Sequence, residues 1–229
     1  GRTLQNLGVV AYDLGQYDSA LAYYEQSLVL AQEISGRAAE GLMLTNLGRV
    51  VWHQGQHDRA ISYHERSLSI VRELGDRSEE GIILNRLGAV ALLRAEFQQA
   101  ERYYRQAMTI REELGQVHHQ VEDWAGLALA LLRQGNLDAA QAWAEQLLTV
   151  WAGNPTFERA DEPMRALYFT WQVWQELGWP QANELLAAAA AVLQTDLDNH
   201  PDPEMQAAYL RQPYHRDFWA AWLARKSSD

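Results

Sequence analysis

One spelling occurs four times in this chain, each copy 40 residues after the last. Leu4, Leu7, Gly8, Gly15, Tyr17, Ala20 and Tyr24 return as Leu44, Leu47, Gly48, Gly55, His57, Ala60 and His64. The third copy is Leu84, Leu87, Gly88, Phe97, Ala100 and Tyr104; the fourth is Trp124, Leu127, Ala128, Gly135, Leu137 and Ala140, with Ala144 where the aromatic stood. A unit of this period cannot bury its apolar face alone, so its copies must stack on one another. The repeat therefore predicts an array rather than a single central core.

Within each unit the apolar spacing is helical. In the first, Leu4, Leu7, Val10, Ala11 and Leu14 recur at steps of three and four over residues 2–14. Gly15 suits the left-handed position that ends a helix. Gln16-Tyr17-Asp18 turn the chain, and Ala20, Leu21, Tyr24, Leu28 and Ala31 continue a second helix. Gly8 and Ala20 are small enough to let the two antiparallel helices approach closely. A glycine inside a helix costs about 1 kcal/mol relative to alanine, so its return at Gly48 and Gly88 implies a packing role. Between pairs, Gly36, Gly75 and Gly115 fit helix stops, and Ser78 with Glu79 and Glu80 fits a capped helix start. Leu7, Gly8, Ala20, Leu47, Gly48, Ala60, Leu87, Gly88 and Ala100 are expected to be buried.

Large-x-x-Leu-small, a turn, an aromatic or Leu, then a small residue three on resembles the tetratricopeptide repeat (TPR), whose standard length is about 34 residues. The 40-residue spacing is similar to that of spindle-orientation proteins of the LGN kind and of kinesin light chains. It resembles still more the arrays at the C-terminus of bacterial STAND-type signalling ATPases and transcriptional regulators. The resemblance implies an all-α, right-handed helical-repeat solenoid, with four helix pairs over residues 1–152 and no β-sheet. It also implies an interaction module in the cytoplasm rather than an enzyme, and the start inside a repeat suggests a piece of a longer protein.

After Trp151 the spelling changes. Gly153-Asn154-Pro155 breaks the helix, and residues 153–162 read as a longer connection. Residues 163–177 and 181–197 are again helical in pattern, a divergent fifth pair within 153–198. Residues 199–229 should be capping helices: Asp202 caps one that begins at Pro203 and carries Met205 and Tyr209, and Pro213 opens another with Phe218, Trp219, Trp222 and Leu223. Eight of the nine tryptophans lie at or after Trp124. Solenoid ends need atypical caps, and an aromatic ring stabilises by roughly 2–3 kcal/mol when buried, so this end is expected to be structural.

Chemistry leaves a thin trail. The chain has no cysteine, so no thiol nucleophile and no Cys-bound zinc. Net charge is −11, which opposes nucleic-acid binding, and no apolar stretch is long enough for a membrane span. His118 with Glu122 and His119 with Asp123 are four apart, but helix-start acids explain them as well as a metal would. No nucleophile turn, phosphate loop or rigid carboxylate pair stands out. Neither a cofactor nor a metal is expected.

The groove remains. In such arrays the first helix of each pair lines the concave surface. That stripe reads Arg2, Asn6 and Tyr12 in the first repeat, Asn46, Arg49, Trp52 and His53 in the second, and Asn85 and Arg86 in the third. Asn6 and Asn46 match an Asn of LGN-type arrays, whose amide can hold a peptide backbone, and arginines offer forks to carboxylates. The expected function is a protein or peptide scaffold, with an acidic or carboxylate-terminated segment as partner. The alternatives are an intramolecular regulatory arm controlling an attached ATPase or effector domain, and a small-molecule inducer site.

Overall fold

In the computed structural model residues 2–116, 120–157, 160, 162–199 and 202–227 are described. They form twelve helices and no strand. Four antiparallel pairs come first: α1 (Arg2–Asp13) with α2 (Tyr17–Glu33), α3 (Arg37–His53) with α4 (His57–Leu74), α5 (Arg77–Leu93) with α6 (Phe97–Glu113), and α7 (Gln120–Arg133) with α8 (Leu137–Gly153). Then follow α9 (Pro163–Glu176), α10 (Gln181–Asn199), α11 (Pro203–Leu210) and α12 (Pro213–Lys226). The protein is an all-α repeat solenoid.

The turns within pairs repeat one device. At the end of α1 the Gln16 N–H donates to Ala11 O at 2.8 Å, and the same bond recurs at Gln56, Glu96 and Asn136. This closure needs one left-handed residue, supplied by Gly15, Gly55 and Gly135 but by Ala95 in the third copy, at φ 59°. Between α2 and α3 that place falls to Ser35 (φ 54°) rather than Gly36, which precedes α3 at φ −80°. The capped start of α5 likewise sits earlier than Ser78: Asp76 accepts from the Glu79 N–H at 3.0 Å.

The glycines of the spelling face aromatic rings. A Cβ on Gly8 would lie 2.5 Å from Tyr24 Cε1, and one on Gly88 2.8 Å from Tyr104 Cζ. Gly48 receives His64 in the same way. The ring, more than Ala20, is what the small residue admits. Gly8, Ala20, Leu47, Gly48, Ala60, Leu87, Gly88 and Ala100 are buried as expected. Leu7 is not: it is 42% exposed, and Val10 55%. Their counterparts Leu47 and Val50 are fully buried because α2 packs against α3; no described helix covers the same side of α1.

Stacking changes after α8. The helices α3, α5 and α7 each rest on the second helix of the preceding pair, whereas α9 packs chiefly against α7 and only lightly on α8. This shift carries the start of α9 back over the row of first helices. α10 and α12 pack on α9 and on each other. Phe218 is fully buried and Tyr214 nearly so, while Trp219 and Trp222 pack half-buried on the core and Leu223 is 48% exposed.

Candidate functional site: the concave face of the first helices

Glu162, immediately before Pro163, lies on the stripe formed by α3 and α5. Its Oε1 is 3.8 Å from Arg86 Nε, and its Oε2 is 3.3 Å from Arg165 Nη1. Arg49, Trp52, His53 and His64 complete a small pocket around it with Arg86 and Arg165. Burial alone would raise the Glu162 carboxyl, but Arg165, Arg86 and Arg49 outweigh that and hold it down at about 2. Burial pushes His53 down to about 4 and His64 to about 3, so both imidazoles are neutral near pH 7.

A second layer fixes the arginine. Arg165 donates to Glu122 Oε2 at 2.7 Å and to Asn85 Oδ1, and the Glu162 N–H donates to Glu122 Oε1 at 2.7 Å. Asn85 donates in turn to Asp123 Oδ1 at 2.6 Å, and Arg111 Nε stands 3.0 Å from Asp123 Oδ2. Glu122 and Asp123 are thus not solvated helix-start acids but 2% and 0% exposed members of an ionic chain. Burial first, with Glu122 beside it, raises Asp123 to about 7 against the pull of Arg111 and Asn85. His118 and His119 lie outside the described residues. Among the described residues no three His, Asp or Glu side chains gather as a metal-ligand set, and no helix is long and apolar enough to cross a membrane.

The nine stripe residues fall into three groups. Arg49, Trp52, His53 and Arg86 surround Glu162. Tyr12 joins them at one remove: its hydroxyl is hydrogen-bonded to His53 Nε2 at 2.6 Å, and the Arg49 guanidinium sits 4.3 Å over its ring. Asn85 is reached through Arg165, and Asn46 is buried. Arg2 and Asn6 lie exposed on α1, away from the cluster. Sequence reasoning passed over Glu162, the last residue of what read as a plain connection, and Arg165, three residues after it. A signal was present: Glu122-Asp123 stand where earlier copies have Leu42-Met43 and Ile82-Ile83, and acids at apolar repeat positions demand partners.

The tetratricopeptide-repeat pattern matches residues 1–73 and, overlapping, 39–113. No curated protein sequence matches the chain. Among solved structures, a putative kinesin light chain from Podosopora anserina with nearly identical TPR-like repeats superposes with a TM-score of 0.63 at 19% identity, covering 85% of this chain and 95% of that one. BtubC (BKLC) from P. vanneervenii gives 0.64 at 19% identity over 88% and 83%. A Rap protein complexed with Competence and Sporulation Factor gives 0.63 at 14% identity over 98% of this chain and 63% of that one. With the repeat spelling, the paired helices and these likenesses together, the chain is a tetratricopeptide-repeat protein with repeats folded like those of kinesin light chains.

Proposed function

We propose that the chain is a non-enzymatic protein-interaction scaffold whose concave groove takes an acidic or carboxylate-terminated segment, and that its own Glu162 holds that place until such a segment competes for it. The observation that carries this reading is one carboxylate among three arginines, on the stripe where a partner would lie. A buried carboxylate is costly unless paired, so an incoming acid must reproduce the contacts of Glu162 to displace it. The solved Rap protein, similar in fold, is complexed with Competence and Sporulation Factor. Because the present occupant belongs to the same chain, the intramolecular regulatory reading stays alive beside the scaffold: release of Glu162 would free the segment before α9.

The test is fluorescence-anisotropy titration of a labelled Glu-rich peptide against the protein and its variants. Glu162→Gln should bind about tenfold or more tightly than the parent, because one charge-assisted competitor is gone. Arg49→Glu should abolish binding, and Arg66→Glu, on the exposed side of α4, should change nothing. Equal affinities for all four proteins would refute the reading.

A further inference from the structure

Beside the Glu162 pocket, and separate from it, lies a cleft of about 550 Å3 where the ends of α3 and α5 meet α9 and α12. That volume is within the roughly 300–1,000 Å3 of small-molecule sites. Its apolar wall includes Leu92, Leu93, Phe97, Leu129 and Tyr168, and Leu93 is 53% exposed, an aliphatic side chain open to water. The charges on the wall are Arg133, Arg211 and Arg216 against Asp217 alone, in a chain of net charge −11. Arg133 is engaged by Glu176 at 2.6 Å and Arg216 by Asp217 at 2.8 Å. The Arg211 guanidinium has no partner among the described residues.

A second observation points the same way. Trp52 Nε1, His53 Nδ1, His57 Nδ1 and Tyr214 OH are withheld from water with no hydrogen-bond partner in the protein, and all four side chains belong to this one wall. Trp52 and Tyr214 are only 6% and 7% exposed. Buried polar groups are ordinarily satisfied, and several unsatisfied ones around one cleft suit a wall that adjusts to donate to a guest.

We propose that this cleft binds a small amphipathic organic anion, an aryl or alkyl carboxylate, with its apolar body against Leu92, Leu93 and Phe97 and its carboxylate toward Arg211. With Arg133 held by Glu176 and Arg216 by Asp217, the uncompensated charge of Arg211 selects an anion, and the leucine-aromatic wall selects an apolar body over inorganic phosphate. The proposal does not depend on the acidic-segment reading of the groove, although Trp52 and His53 border both sites.

The experiment uses the full chain and 1H–15N spectra, with the Trp52 indole resonance identified through Trp52→Phe. The probes are hexanoate, 4-phenylbutyrate and the neutral 4-phenylbutyramide. At millimolar 4-phenylbutyrate the Trp52 indole signal should move saturably, with hexanoate weaker. The amide should bind about tenfold more weakly, and so should 4-phenylbutyrate to Arg211→Gln, since each removes one charge-assisted contact. Arg211 is exposed, so that variant should melt at the parental temperature, and Glu162→Gln should bind the probe as the parent does. No saturable shift with either carboxylate, unchanged affinity in Arg211→Gln, or an affinity that follows Glu162 instead would overturn the proposal.

Discussion

Arg111 and Asp123 form an ion pair, Nε to Oδ2 3.0 Å, at the positions 40 residues after Val71 and Ile83, which pack together as an apolar contact. The two side chains are 2% and 0% exposed. The array therefore exchanges hydrophobic packing for charge at the repeat on which α9 turns back.

Removing one member of a buried pair strands the other, at about 3–5 kcal/mol, whereas an apolar replacement of both is often neutral or better. Arg111→Val and Asp123→Ile should each lower stability by about that amount in urea unfolding. The double variant, which copies the preceding repeat, should recover most of that loss, falling short of the parent by about 1–3 kcal/mol because the buried Asn85 amide loses its acceptor on Asp123. A double variant as unstable as the sum of the singles would mean that the pair is not a unit.

The repeat made the array legible. Helix pairs, turns and the buried small residues follow from a period that any chain bearing it must satisfy by stacking. Leu7 misled because burial depends on a neighbour, which position in a repeat does not supply. The site was half legible. Arg49, Trp52, His53 and Arg86 could be placed on one face by spacing alone, but their partner Glu162 arrives from a non-repeating segment. No periodicity says where such a segment returns.

Tyr104 is held between two glycines, Gly88 of α5 and Gly126 of α7, and a Cβ on Gly126 would penetrate its ring. The ring is fully buried and cannot swing aside. Gly126→Ala should cost about 1–3 kcal/mol through overpacking despite the gain in helix propensity. Thermal unfolding checks this, and Tyr104→Leu in the same chain should recover part of the loss.

Ala95 adopts φ 59° where the other copies have glycine. A left-handed non-glycine residue costs about 1–2 kcal/mol, partly offset by the greater chain entropy that glycine loses on folding. Ala95→Gly should therefore raise stability by about 0.5–1 kcal/mol in urea unfolding, with no change in helix content by circular dichroism.

His64, pushed down to about 3 by burial, is neutral in the folded chain and titrates at its usual value when unfolded. Its contribution is complete above pH 6.5 and is lost as pH falls from there toward 3. The slope approaches about 1.4 kcal/mol per pH unit. Glu162, held down at about 2, adds to the loss only below about pH 4.5, and Asp123, raised to about 7, works in the opposite sense. His64→Gln should remove one such slope between pH 4.5 and 6. Parallel stability-versus-pH curves for parent and variant would contradict the assignment.

Glu162 is held inside the chain by the arginines of α3, α5 and α9. A double-mutant cycle in urea unfolding tests it most directly, using Glu162→Gln, Arg86→Gln and the two together. The coupling energy between these partly buried groups should be about 1–3 kcal/mol and should shrink as salt rises. A coupling indistinguishable from zero at low salt would contradict it.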